Sequence, residues 1–272
     1  MGDPSGSGFD PRPHVHRELA ESCGVDAERD DRTRPRYPDA VVERIVQASP
    51  GSRVLDVGCG TGIEARQLEA AGCSVLGIDP DERMAQYARA RGLDVEVARF
   101  EDWDPAGRTF DLVVAGTAWH WVDPEVGAVK AAEVLRPDGR LAPFHNLFQL
   151  PRPVAQALGE AYERVLPDSP VDLPAYLLKP AVDAYQPVFT KIAEGIRHAG
   201  VFSEPEQWRV DWELTYTADE WVEQLPTLGA LTSLPLQQVM QVQAATAAAI
   251  DALGGSVTVS YSTIAVTAVR ES

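Results

Sequence analysis

One stretch constrains the fold more than any other: Arg53-Val54-Leu55-Asp56-Val57-Gly58-Cys59-Gly60-Thr61-Gly62. Residues 53–57 read as a buried strand with an acid near its end. Gly58, Gly60 and Gly62 follow at alternate positions, and residues 63–71 read as a helix. Glycines at such a turn let a ligand approach the backbone, because no Cβ stands in the way. The helix behind them presents free N–H groups and the positive end of its dipole. A second short apolar strand, Ser74-Val75-Leu76-Gly77-Ile78-Asp79, also ends in an acid. Glycines for the turn and an acid for a ribose describe a nucleotide site. The dinucleotide fingerprint G-x-G-x-x-G is not met, because Ile63 stands where its third glycine belongs. Asp56 would repel a pyrophosphate and attract the ammonium of an amino acid.

This stretch resembles motif I of the class I S-adenosylmethionine (SAM)-dependent methyltransferases. The resemblance implies that Gly58, Gly60 and Gly62 pack against the methionine and ribose parts of SAM. Asp56 then suits its amine and Asp79 its sugar, although Asp79 also suits a helix cap. Arg34-Pro35-Arg36-Tyr37-Pro38 is similar to a stretch in small-molecule enzymes related to trans-aconitate methyltransferase. That implies Arg34 and Tyr37 over the SAM site; packing of Tyr37 on the core, with the arginines in water, is the alternative. Pro80 follows Asp79. Met84 would touch the adenine, though it fits the core equally. In the family the segment after the third strand, here residues 94–98, holds the adenine by a backbone N–H and an acid. Arg99 occupies the usual place of that acid. The role passes to Phe100 and Glu101, with Asp102 second; a solvated acidic turn is the alternative. Leu135-Arg136-Pro137-Asp138-Gly139-Arg140-Leu141 is another run similar to the family.

Residues 110–115 read as a fourth strand, apolar enough to be central in a parallel sheet. Ligands bind at the carboxyl ends of such strands. Thr117 and Trp119, just beyond it, therefore belong beside the transferable methyl group. His120, between Trp119 and Trp121, has an ordinary pKa suited to deprotonating a phenol or enol; a packed structural histidine is the alternative. His145, at the end of a fifth strand over 140–144, is the second candidate base. Val126, Val129, Ala132 and Leu135 mark a helix between these strands. Further on, helices are predicted near 154–165 and 182–199, and alternation over 206–217 predicts a half-exposed strand. Thr217 to Glu220 has the form of a capping box. Val239, Met240, Ala247 and Ile250 predict one face of a helix near 236–253. A change of parity near Ser262 predicts a bulge in the last strand.

The expected fold class is α/β: a Rossmann-like, seven-stranded, mostly parallel sheet with an antiparallel last strand, helices on both faces and helical lid insertions. The expected divisions are a flexible segment at 1–31 and a SAM-binding core at 32–146. A lid insertion at 147–187, core helix and strand at 188–217, a second insertion at 218–253 and a last core strand at 254–272 follow. The expected cofactor is S-adenosyl-L-methionine. The expected function is methyl transfer to a small organic acceptor at O, N, C or carboxylate. An NAD-linked oxidoreductase and a non-catalytic SAM-binding protein are the alternatives.

A formal net charge of -17 weighs against a nucleic-acid partner, which needs a basic surface. No run of apolar residues is long enough to span a membrane, and no signal pattern opens the chain. Cys23, Cys59 and Cys73 lack disulfide-framework or metal spacing, so a cytoplasmic location is expected. His14 and His16 lack a third ligand nearby, and no metal site is expected. The partner is expected to be a small-molecule substrate, with the chain a monomer or homodimer.

Overall fold

The computed structural model describes residues 26–169, 172–229, 231–232 and 234–271. His14, His16, Cys23 and most of the segment expected to be flexible lie outside the described residues. In chain order the elements are α1 (Ala27–Thr33), α2 (Asp39–Gln47), β1 (Arg53–Val57), α3 (Ile63–Ala70), β2 (Ser74–Asp79), α4 (Glu82–Arg89) and β3 (Asp94–Val97). Then come β4 (Phe110–Gly116), α5 (Pro124–Val134), β5 (Leu135–Gln149), α6 (Arg152–Val165), α7 (Leu173–Leu178) and α8 (Ala181–Ala199). The last are β6 (Glu206–Thr217), α9 (Ala218–Gln224), α10 (Leu236–Asp251) and β7 (Ser256–Val269).

The strands form one sheet in the order β3-β2-β1-β4-β5-β7-β6. β1 pairs in parallel with β2 on one side and β4 on the other, β2 with β3, and β4 with β5. The last strands are antiparallel. The chain winds outward from β1 to β3 and then returns to β4. This reversal opens a crevice at the carboxyl ends of β1 and β4. β1 and β4 are covered on both faces, so they read as near-continuous apolar runs rather than alternating ones.

Two compact units divide the chain. The core unit takes its described residues from 12–146, 188–210 and 263–272; the second unit takes its own from 147–187 and 211–262. β5, α8, β6 and β7 each run from one unit into the other. In the core unit, Ile45 of α2, Leu68 of α3, Ala85 and Ala88 of α4 and Val54, Leu112 and Val114 of the sheet form one buried cluster.

Three sequence expectations change here. Residues 27–31, expected to end the flexible segment, belong to α1, which is capped by Asp26 and buries Asp30. In α5 the buried face is Gly127, Ala128, Ala131, Ala132 and Val134, whereas Val126 and Val129 are exposed. Small residues face inward because the helix sits close: a Cβ on Gly127 would lie 2.3 Å from a Val122 methyl. The third concerns β5, which begins at Leu135 and continues past His145 to Gln149. Residues 136–139 fall between the pairs Phe110↔Leu135 and Leu112↔Arg140 as an irregularity, with Asp138 at φ 65.

In the second unit, α6, α7, α9 and α10 contribute Leu158, Leu177, Trp221, Val242 and Ile250 to a second buried cluster. Trp212 of β6 stacks on Tyr261 of β7 at 4.4 Å, and the Tyr216 and Tyr261 hydroxyls meet at 2.8 Å. The capping box at Thr217 and Glu220 is formed. α10 buries Val239, Val242, Thr246 and Ile250, which share a face at helical spacing, while Met240 is exposed. β7 is continuous; its outer face is exposed up to Ser260 and both faces are buried from Thr263 to Ala268. Two-sided burial goes with the change of parity.

Candidate functional site

The crevice at the switch point has a volume of about 200 Å³ and lies wholly in the core unit. Arg34, Tyr37, Gly58, Gly60, Asp79, Pro80, Met84, Phe100, Glu101 and Thr117 line it. Asp56, Gly62, Asp102 and Trp119 do not, and neither does His120 or His145.

The glycine turn has two jobs. Gly58 and Gly60 have positive φ, 71 and 53. A Cβ on Gly58 would lie 2.6 Å from that of Ala118, whereas one on Gly60 would meet nothing within 4 Å. Gly60 thus bares its backbone to the crevice. Gly62, also left-handed, faces Leu93, whose Cδ1 would be 2.0 Å from an added Cβ. It serves packing at the start of α3, so its side falls outside the crevice.

Asp79 ties two loops together. Its Oδ2 accepts from Gly60 N and its Oδ1 from Asp81 N, each at 2.8 Å. Asp81, not Asp79, caps α4. A carboxylate has about four acceptor positions, so Asp79 keeps capacity for ligand hydroxyls. Burial pushes its pKa up to about 6.

Across the crevice, Tyr37 packs edge-on against Phe144 at 4.6 Å and donates its hydroxyl to Thr117 Oγ1 at 3.0 Å. The two readings of Tyr37 are therefore compatible: it is a core residue and a lining residue. Thr117 is held in the left-handed region at φ 53, an uncommon conformation for a β-branched residue. Its N–H donates to the Phe144 carbonyl at 2.7 Å and its Oγ1 also accepts from Asn146 N at 3.3 Å. Such over-determination is what holds strained backbone at functional sites. Arg34 donates from Nε to Asp30 at 2.5 Å, and both line the crevice.

At the far end, Phe100 and Met84 are buried and Glu101 Oε1 accepts from Asp123 N at 3.2 Å. Asp102 is exposed and paired with Arg99 at 3.7 Å, which keeps it out of the crevice. Trp119, expected beside the methyl group, is only 1% exposed and lies 5.9 Å from Phe100, supporting that wall from behind. Trp121, two residues on, is the tryptophan that lines the crevice.

The sequence analysis also missed Asp30, Cys59, Thr61, Glu64 and Ala118, all of which line the crevice. Glu64 is the informative omission. An acid in the first turn of a helix is ordinary, because it suits the dipole. Here it is buried, and its Oε1 accepts from Gly116 N at 2.6 Å. Gly116 must be glycine, since an added Cβ would stand 1.4 Å from Glu64 Oε2.

His120 Nδ1 and His145 Nε2 are 3.1 Å apart, one donating to the other. Burial, with the Arg34 charge second, pushes the His120 pKa down to about 3; burial likewise pushes His145 well down. Both rings are neutral near pH 7, so the ordinary imidazole pKa assumed from sequence does not hold. Among the described residues no group of three or more His, Cys, Asp or Glu is placed to hold a metal.

The site fits SAM on two structural grounds. Asp56 is fully buried, and among the described residues no N–H donates to either of its carboxyl oxygens. An uncompensated buried acid beside a ligand crevice suits a cationic ligand. The open backbone at Gly60, next to the half-used Asp79, suits a ribose.

This sheet order with a glycine-lined switch-point crevice defines a Rossmann-like methyltransferase fold. A solved structure of a provisionally assigned type II methyltransferase from Anaeromyxobacter dehalogenans covers 86% of this chain and 97% of its own, at TM-score 0.59 and 22% identity. Phosphoethanolamine N-methyltransferase 2 of Haemonchus contortus, solved with S-adenosylhomocysteine, covers 97% of this chain and 61% of its own, at TM-score 0.52 and 15% identity. In sequence, residues 54–139 match the methyltransferase domain model. An uncharacterised methyltransferase of Mycobacterium tuberculosis is 36% identical over 133 residues, 48% of this chain and 54% of the relative. The chain thus spans about half the length of such relatives. A ubiquinone biosynthesis O-methyltransferase of Rhizobium rhizogenes is 32% identical over 178 residues, 62% of this chain and 70% of the relative. The chain belongs to the SAM-dependent methyltransferase family. That membership sets the oxidoreductase alternative aside.

Proposed function

We propose that this protein transfers a methyl group from SAM to a small organic acceptor, with an oxygen acceptor favoured. The observation that carries the reading is the crevice itself: bared backbone at Gly60, spare acceptor capacity on Asp79 and an uncompensated buried acid at Asp56. Arg34, Tyr37, Asp79, Met84, Phe100, Glu101 and Thr117 would hold the cofactor. SAM supplies a methyl group on a sulfonium, a leaving group that needs no further activation. The chain has then to align the acceptor and keep water out. Trp121 and Val122 add apolar wall to the crevice, which supports a flat, apolar acceptor.

The oxygen preference draws on the O-methyltransferases among the relatives. A carboxylate acceptor, as in the trans-aconitate subgroup, would want an arginine to hold it. Arg152 and Arg164 are exposed, and Arg197 is exposed and paired with Glu204 at 2.5 Å. Arg34, which does line the crevice, is engaged by Asp30, so the arrangement favours the phenol or enol. His120 stands next to the lining residue Trp121, 4.6 Å between rings. With its pKa pushed down to about 3 it is too weak a base to deprotonate a phenol, so it would orient an acceptor that is already ionised. The buried Cys59 thiol, pushed up by burial, is unreactive, and Cys59 and Cys73 are both free, which supports a reducing cytoplasm.

The test is transfer of label from methyl-labelled SAM to a panel of phenols, enols, carboxylates and amines. Labelled phenol or enol is the expected result. SAM binding without labelling of any acceptor would favour a non-catalytic binding protein.

A further inference from the structure

Two buried acids meet behind the glycine turn. Asp56 at the end of β1 is fully buried and Glu64 in the first turn of α3 is 4% exposed. Their carboxyls lie within reach of each other. Two carboxylates are both acceptors, so a hydrogen bond between them requires one to carry a proton. Gly116 N donates to Glu64, and the Tyr37 hydroxyl lies within reach of the same carboxyl. Asp56 takes no donor from the described chain apart from this contact.

The charged groups around the pair are few. Asp79 from β2 raises the proton affinity of Asp56. Tyr37 carries the phenol facing Glu64, and Cys59 carries the thiol beside all three acids. Arg34 acts on Tyr37 and forms an ion pair with Asp30. Nothing among these supplies a cation against Asp56 or Glu64. Burial pushes both acids up, Glu64 to about 7, and the charges of Glu64 and Asp79 add to the rise at Asp56. Glu64 lines the crevice while Asp56 does not, so the pair reaches the ligand through Glu64.

We propose that Asp56 and Glu64 share one proton in the ligand-free protein and release it to solvent when the ammonium of SAM binds beside Glu64. The charge balances: a singly charged pair loses its proton, becomes doubly charged and faces the incoming positive charge. Cofactor binding is therefore proton-linked, tightening as pH rises through neutrality. Glu64 is a cofactor-positioning residue in addition to those named above. The inference rests on the crevice being the SAM site.

Calorimetry separates the two. S-adenosylhomocysteine, which keeps the ammonium, and 5′-methylthioadenosine, which lacks the amino-acid moiety, are titrated into the full chain at pH 7.5. Each is measured in two buffers of different ionisation enthalpy. The expected release is roughly one proton per S-adenosylhomocysteine, with affinity tightening by up to about tenfold per pH unit. No proton should leave with methylthioadenosine, whose ribose still meets Asp79. Glu64→Gln should abolish the release. S-adenosylhomocysteine binding with no proton released, or equal release by methylthioadenosine, overturns the inference while leaving the SAM site standing. No binding of S-adenosylhomocysteine at any pH removes the site and the inference together.

Discussion

At the residue scale the site is a set of carboxylates with distinct tasks. Asp79 holds Gly60 and Asp81 in place and keeps acceptor capacity for a sugar. Asp79→Ala should weaken S-adenosylhomocysteine binding by about 1.5–3 kcal/mol, the range for hydrogen bonds to a charged group. Unchanged affinity by calorimetry would take Asp79 out of the site. Asp79 was legible because it ends a strand after an apolar run. Glu64 was not, because position in a helix's first turn already explains an acid there. The error at Trp119 has the same kind of cause. Trp119-His120-Trp121 offers two similar rings, and only the short turn at 119–121 decides that the first is buried and the second lines the crevice. At the histidines, residue type suggested an ordinary pKa, but burial is a property of packing that one sequence does not display.

At the element scale, strands were easy and helix faces were harder. β1, β2 and β4 announce themselves as apolar runs because both faces are covered. α5 misleads, since its large residues, Val126 and Val129, point outward and its alanines point inward. Where a helix is closely packed, as Gly127 is against Val122 and Pro124 against Gly195, small size is selected rather than hydrophobicity. Ala128→Leu should therefore destabilise the protein by about 1–3 kcal/mol, the usual cost of overpacking. Val129→Thr, on the exposed side, should stay within about 0.5 kcal/mol. Chemical denaturation of the two variants gives the comparison; equal stabilities would mean α5 is not seated as described. α10 failed in a related way. Its alanine-rich second half carries little hydrophobic contrast, so Met240 was counted with the buried face to which Val242 belongs.

At the scale of the whole molecule, buried acids tie stability to pH. A carboxyl whose folded pKa is raised contributes stability that is complete below its unfolded value and fades as pH rises through the folded value. Asp79, raised to about 6, Glu64, raised to about 7, and Asp56, raised well above its ordinary value, act in this sense. His120 and His145, both lowered, act in the opposite sense, but only below about pH 6.5, where an unfolded histidine titrates. Between pH 6.5 and 8 the acids are left to dominate, and the net charge of -17 pushes the same way. The stability of the ligand-free protein should fall over that window, by up to about 1.4 kcal/mol per pH unit for each proton lost, and its melting temperature with it. A melting temperature that rises or stays flat would mean that the Asp56–Glu64 pair is already ionised at pH 6.5.

Four elements, β5, α8, β6 and β7, begin in one unit and finish in the other. Among the described residues, each of these crossings is made inside a strand or a helix. A relative's second unit therefore cannot be grafted onto this scaffold as one cassette. Any exchange has to splice two separated stretches, and each junction must preserve strand register or helical phase. Diversification of such a chain proceeds most readily by point changes on those shared elements.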